Sequence, residues 1–478
     1  GGCCALAIAL AVQYWPLVRP RRKPLPPGTP GWPLLLGDSF QLLGDVGQWM
    51  REMHKKFGPA YRCMFFGTHV IVVDMDLYDR ALAKLDATAA FNPLWPNGFK
   101  NIVGHNSLQF MHAGSGPAGS RHRRMKRKVM DAFTPAELRG FFPRIEEIIR
   151  DEFELMVAET EATGQTALAP HALRTVKRVI LELVLGAESM DCDLYMRDSA
   201  SELMSGMIAV PMDLGTFSAF GRAMSMRRKW QREVKRLIQG EGDRGATDVA
   251  AGSEQARQPL LKRLAKECTH GAGMTLEELQ DLLIGLMLGG SLTSAETMQW
   301  LLMEVTRSPD WKAKIADESQ RMVETEGGLA AAWGACPPEG SKTPCPASLA
   351  AVYETLRLHC PIDVQLRSVD QDVDLGEGCG TVPAGWWVAV HMTERNLRQG
   401  LDFNPGRYEG RSAAPEVAAF GHGPHFCVGR SLALWELQTF LHVWLTGYEV
   451  EVLNDETFMQ TGMRRFKGGM QVAVRRKS

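Results

Sequence analysis

Residues 420–429 read Phe-Gly-His-Gly-Pro-His-Phe-Cys-Val-Gly, one cysteine among three glycines and a proline. Apolar side chains recur at helical spacing over residues 428–445. Cys427 therefore stands just before a helix N-terminus, where free N–H groups and the positive dipole end favour a thiolate. Gly429 lets a flat partner approach the first turn, and Gly421 and Gly423 permit a tight loop before it. This chemistry suits one thiolate presented to something large and planar, and haem iron with a single cysteine ligand fits. The competing reading is a buried, inert thiol.

Three other groups carry potential chemistry. Glu354 and Arg357 are neighbours on one helix face; taken alone, such a pair is a solvated contact worth roughly 0.2–1 kcal/mol. Gly289 and Gly290 sit inside a helical pattern, where each costs roughly 1 kcal/mol against Ala. A widened turn where a ligand nears the backbone would explain that cost. Thr293, four residues past Gly289, can bond its carbonyl and bend the helix. Residues 121–128 hold seven His, Arg or Lys in eight positions. That run lacks aromatics and the net charge is −1, so it does not read as a nucleic-acid patch; a solvated basic face is the plain alternative.

The elements that must position these groups are mostly helical. Helical spacing appears over 145–157, 172–185, 226–237, 276–305, 348–359 and 428–445, with Ser348 a candidate N-cap. Strands are expected over 65–74 and within 381–391. Loops are expected over 241–255, 325–346 and 91–119. The pattern predicts a mostly α chain with small β-sheets.

The chain has 478 residues, 45% of them hydrophobic and 23% charged, ample for a large core. Length alone suggests about three domains, but no composition break appears after residue 36, so 37–478 reads as one domain. The ten cysteines form no C-x-x-C pair, which excludes a zinc-ribbon framework and points to a reduced protein without a disulfide scaffold. Residues 3–18 are mostly apolar and uncharged, followed by Arg-Pro-Arg-Arg-Lys at 19–23 and a Pro-rich run. A spanning helix needs about 20 apolar residues. Basic residues straight after the apolar run favour the cytoplasmic side, the reverse of a cleaved signal's order. We read 1–18 as a truncated membrane anchor and 19–36 as a basic, Pro-rich hinge.

The stretch 420–429 resembles the haem-binding signature of cytochromes P450, with Phe420, Gly423, His425, Cys427 and Gly429 in the signature's positions. Tyr353-Glu354-Thr355-Leu356-Arg357-Leu358 resembles the family's E-x-x-R helix. Phe403-Asn404-Pro405-Gly406-Arg407-Tyr408 resembles its P-x-R-F/Y element, and Gly289-Gly290-Ser291-Leu292-Thr293-Ser294 its oxygen-binding stretch. The apolar anchor, basic residues and Pro-rich run resemble a microsomal N-terminus.

The resemblance implies the P450 fold, haem b with Cys427 as axial thiolate, and Glu354, Arg357 and Arg407 as a structural triad holding the cysteine loop. It implies haem contacts at Phe420, Gly429, Gly289 and Gly290, and propionate contacts at His425 and Arg367. In the family's W-x-x-x-R pattern, His122 takes the Trp position and Lys126 the Arg position, both toward a propionate. Leftover basic residues would face an acidic electron-transfer partner.

The implied activity is hydroxylation of a small apolar substrate with O2. Electrons would come from NADPH through a separate flavoprotein reductase, or from a ferredoxin system, since no dinucleotide motif follows a strand here. Residues 210–227 are similar to a segment of P450s acting on sterols, terpenoid hormones and retinoids, which points to an isoprenoid. The family's usual acid before the Thr is replaced by Leu292. A monooxygenase would then move protons through Thr293, Ser291, Ser294, Glu296 and water. The alternatives are an isomerase or dehydratase acting on an oxygenated lipid without external electrons, and a non-catalytic haem-binding protein. No nucleic-acid partner is implied. The expected location is the endoplasmic reticulum membrane with the catalytic domain cytoplasmic, the plastid being the other candidate.

Overall fold

The computed structural model of the chain describes residues 24–29, 37–39, 41, 45–65, 68–86, 91–93, 97–113, 117–184, 186, 202–203, 205–206, 211–243, 260–269, 274–326, 343–410, 417–454, 457–460, 463–466 and 469–477. The expected anchor over 1–18 lies outside them. No helix among the described residues is long and apolar enough to cross a membrane.

The N-terminal side begins with α1 (Val46–Phe57), β1 (Ala60–Phe65) and β2 (Thr68–Asp74). The strand expected over 65–74 is β2, and β1 pairs with it antiparallel from the residues before it. They join β3 (Phe91–Pro93), β5 (Val364–Val369) and β8 (Trp387–His391) in a five-stranded sheet of order β1-β2-β8-β5-β3. Only β2 and β8 run parallel. Part of the hinge lies along this lobe: the Pro24 carbonyl accepts from Thr381 N at 2.9 Å, and Gly28 bridges to Arg62. Two short strands, β6 (Val373–Asp374) and β7 (Thr381–Val382), pair beside it.

The helical side holds α2 (Asn97–Val103), α3 (Pro117–Ala132), α4 (Pro135–Thr163), α5 (Leu168–Val184), α6 (Ala219–Asp243), α7 (Leu260–Thr269), α8 (Leu276–Thr306), α9 (Pro309–Glu326), α10 (Pro346–Leu358) and α11 (Arg430–Gly447). The loop expected over 91–119 therefore contains a strand, a helix and the start of another. Its lack of clear periodicity reflects short elements rather than absent ones. Between α4 and α5, β4 (Thr166–Ala167) pairs with β12 (Gln471–Arg476), which also pairs with β9 (Tyr448–Val452); β10 (Thr457–Gln460) and β11 (Met463–Phe466) form a separate hairpin.

α8 is the central helix. It starts at a capping box in which Thr275 accepts from Glu278 N at 3.2 Å and Glu278 accepts from Thr275 N at 2.8 Å. It is apolar on most sides and buried along most of its length, with an exposed stretch at Gly289. It packs most extensively on α5 and also on α10 and α11. α11 is buried through Trp435 and Trp444, with Phe142 edge-on to Trp435 at 5.1 Å. Ser348 is not an N-cap: α10 starts two residues earlier behind Cys345, and the Ser348 hydroxyl bonds the buried Glu318 at 2.5 Å.

Candidate active site

The cysteine loop is built on itself and then pinned from outside. Gly421 and Gly423 take left-handed φ of 73° and 59°, which only glycine adopts cheaply. A Cβ on Gly421 would also stand 2.5 Å from Gln365 Nε2. Residues Gly423–His425 form one 3-10 turn. Cys427 N donates to the Phe420 carbonyl at 2.8 Å and Phe426 N to that of Gly423 at 3.1 Å. Phe420 therefore anchors the ligand residue through its backbone, and the Arg430 guanidinium lies 5.6 Å over its ring. Arg430 also bonds the Tyr353 hydroxyl at 2.7 Å, tying the start of α11 to α10.

Cys427 is an exposed residue in the haem-free chain. A Cβ on Gly429 would meet no atom except that sulfur, at 4.0 Å, so the space in front of the thiol is open. Burial pushes the Cys427 thiol up, while the backbone N–H groups of Gly429 and Arg430 and the cations Lys126 and Arg430 pull it down. A helix N-terminus and two cations suit a thiolate as soon as something compensates its charge.

Glu354, Arg357 and Arg407 meet in the structure, the first two buried and Arg407 half-buried. Arg357 and Glu354 are both fully inaccessible and bond at 2.7 and 2.9 Å. Arg407 reaches Glu354 at 2.7 Å and Asp402 at 2.8 Å. Arg357 also donates to the carbonyls of Asn396 (2.9 Å), Gly400 (2.6 Å) and Asp402 (3.0 Å). The triad thus holds the 396–407 segment directly. The link to the cysteine loop runs through Asn396, which accepts from Ala418 N at 3.0 Å, and through the Tyr353–Arg430 bond.

A cluster of imidazoles and cations lies beside the loop. The rings of His122 on α3 and His425 are 4.7 Å apart. His122 is buried and its Nδ1 has no hydrogen-bond partner among the described residues. Burial, then Lys126 and Arg123, lowers His122 to about 4; burial, then Arg367, His122, Lys126 and His112, lowers His425 to about 2. Arg367, on β5 and almost fully buried, bonds Gln365 at 3.1 Å. An unpartnered buried nitrogen among converging cations is a site for anions, as haem propionates require. The Lys126 ammonium donates to the carbonyls of Pro424 and Phe426, each at 2.7 Å.

On α8 the two glycines part company. Gly289 is exposed, and a Cβ there would meet nothing within 4 Å. A Cβ on Gly290 would stand 3.2 Å from Ile180 Cδ1, so Gly290 admits α5 and is not on the open side with Gly289. The Thr293 hydroxyl donates to the Gly289 carbonyl at 3.0 Å on an exposed stretch, as the spacing predicts. Ser291 is fully buried and donates to the Met287 carbonyl, which sets it inside the packing. Glu296 is half-buried one turn past Thr293.

Glu436 was not among the candidates. It is fully buried on α11, hydrogen-bonds Ser294 beside Thr293, and burial pushes its carboxyl up to about 8. Its Oε1 has no hydrogen-bond partner among the described residues. The available signal was a lone acid in the apolar run of 432–445.

The family model for cytochrome P450 matches residues 26–467. The chain belongs to the cytochrome P450 family. The P450 is 24% identical to abscisic acid 8'-hydroxylase 1 of Arabidopsis thaliana, over 95% of this chain and 92% of that protein. It is 24% identical to beta-amyrin 11-oxidase of Glycyrrhiza uralensis, over 92% and 88%. Its fold matches the solved structure of retinoic acid bound cyanobacterial CYP120A1 with a TM-score of 0.74 at 19% identity, covering 95% of this chain and all of that one. The protein is thus a P450 monooxygenase whose cofactor is haem with an axial cysteine thiolate. The open thiol, the open face at Gly289 and the anion-seeking cluster fit that group.

Proposed function

We propose that this P450 hydroxylates an apolar isoprenoid or sterol-like substrate, with Cys427 as the axial thiolate. The observation that carries the site assignment is Cys427 itself: an exposed cysteine at a helix N-terminus, on a loop pinned by Phe420, Lys126 and, through Arg430, α10. The substrate class rests on the relatives, whose names specify abscisic acid, beta-amyrin, cholesterol and ent-kaurenoic acid, all isoprenoid compounds. Haem, when bound, supplies the oxygen-activating chemistry and the thiolate's push toward O–O cleavage.

The chain's own residues hold the proton supply. Thr293 keeps its hydroxyl on the open face through Gly289. Leu292 carries no proton, and Glu436 takes over that task from the neighbouring helix: it holds a proton at its carboxyl and passes it toward Thr293 Oγ1 through Ser294 and water. Ser291, turned into the packing, is left out of this route. Arg367, His122 and His425 hold the propionates. Electrons come from an NADPH-dependent flavoprotein reductase, and residues 1–18 anchor the protein in the endoplasmic reticulum membrane.

A reduced, carbon-monoxide difference spectrum tests the ligand: the red-shifted thiolate band is expected, and its absence in folded, haem-loaded protein would remove Cys427 from the role. Turnover of a panel of the relatives' isoprenoids with NADPH, O2 and a plant reductase tests the activity. Hydroxylated product is expected. Conversion of a lipid hydroperoxide without NADPH or O2, and of nothing else, would overturn it.

A further inference from the structure

Lys126 makes two hydrogen bonds in this structure, both to the loop that carries the thiol. It projects from α3, and its ammonium donates to the carbonyls of Pro424 and Phe426 at 2.7 Å each. The Phe426 carbonyl belongs to the peptide whose nitrogen is that of Cys427. That nitrogen is fixed in turn by the Phe420 carbonyl at 2.8 Å. A one-turn 3-10 helix leaves its last carbonyls without partners of its own, and the glycines before it leave the turn soft. Lys126 satisfies those carbonyls from an element about 300 residues away in sequence. No carboxylate among the described residues pairs with Lys126, so its charge is not spent on a neighbouring acid. Arg430, the other cation at the loop, is held on Tyr353 and the Phe420 ring.

We propose that Lys126 is a positioning residue for the haem ligand, fixing the direction of the Cys427 sulfur through the flanking carbonyls and setting the reduction potential of the iron with its uncompensated charge. This rests on Cys427 being the ligand. It departs from the propionate role that the alignment assigns to position 126. Two physical effects act together. Clamping the backbone on both sides of Phe426 limits the rotations that would swing the sulfur off the iron. A positive charge near the thiolate, in a site of low dielectric, favours the reduced, more negative state of the centre. Hydrogen bonding around a thiolate ligand is a recognised lever on potential.

The test uses full-length, haem-loaded protein in three forms: wild type, Lys126→Met and Lys126→Arg. Three quantities are measured: the ferric/ferrous midpoint potential, the iron–sulfur stretching frequency by resonance Raman, and the fraction of the carbon-monoxide complex that loses its thiolate band with time. In Lys126→Met the ferric/ferrous equilibrium constant is expected to fall about tenfold, equivalent to about 59 mV, with a shifted iron–sulfur stretch and faster loss of the thiolate band. Lys126→Arg, which keeps charge and donors, restores most of all three. If Lys126→Met does not retain haem, Lys126→Gln, which keeps a donor but no charge, is read in the same way. An unchanged potential and iron–sulfur stretch overturn the proposal, including the case in which haem merely dissociates faster, which is the propionate role. A wild type that never shows the thiolate band overturns the Cys427 assignment instead, so the two failures are distinguishable.

Discussion

The two faces that would enclose the haem are held by opposite means. The cysteine side is held from far away: Lys126, Gln365, Tyr353 and Asn396 reach the loop or its approach from four other elements of the chain. The central-helix side is held from within, by Thr293 on Gly289 and Ser291 on Met287, bonds that stay inside α8. A ligand that must not move is fixed by a tertiary network. A stretch that must admit oxygen, substrate and protons is left with local bonds and one open face. The exception on the helix side is Glu436, a tertiary contact to Ser294 that brings an acid close to a stretch with Leu292 where the family usually carries one.

The largest effect is expected on the cysteine side. Cys427→Ser should eliminate the thiolate band and hydroxylation together, as read by the carbon-monoxide difference spectrum and product assay. Next comes its support. Arg357→Ala leaves Glu354 charged and buried, at a cost of about 3–5 kcal/mol; a fall in the unfolding midpoint in denaturant measures it, and a loss within 1 kcal/mol would mean the triad is not buried as described. On the helix side, Thr293→Ala should leave folding intact and lower hydroxylation on the order of 10²-fold, with NADPH consumption falling much less, so that uncoupling separates the two faces.

Glu436→Gln sharpens the comparison further. The carboxyl is raised from 4.5 to about 8 in the fold. A raised group contributes stability that is complete below its unfolded value and lost as pH rises through its folded value. Stability should therefore decline between about pH 4.5 and 8 in the wild type, and the Gln variant should flatten that decline in thermal unfolding. Hydroxylation by the variant should fall as well, and retention of full coupling would remove Glu436 from the proton route. The smallest effects separate the glycines. Gly289→Ala should stabilise the haem-free chain by about 1 kcal/mol yet weaken haem or substrate binding. Gly290→Ala must displace Ile180 by a few tenths of an ångström, which offsets that gain.

Much of the site was legible because its chemistry is local. The cysteine before a helix and the Thr four residues past a glycine follow from spacing, whereas Glu354 and Arg357 owe their structural role to the family resemblance, since spacing alone gives a solvated pair. The roles of Lys126 and Gly290 were not, because both depend on what lies opposite. An alignment places Lys126 near a propionate, but only the fold shows two bare carbonyls within its reach. Helical propensity marks Gly290 as costly, but only the packing of α5 shows why the cost is accepted. Ser348 failed as an N-cap because Glu318, distant in sequence, claims its hydroxyl.

The sequence by itself determined the family, the cofactor, the identity of the thiolate candidate and the course of the central helix, since these rest on short-range order and on residue chemistry. Tertiary structure alone decided which charges are buried together, which glycine faces open space, where Lys126 bonds and that Glu436 meets Ser294. Those depend on contacts between segments tens to hundreds of residues apart, and the free energy of a buried polar group is set by the partner it meets there.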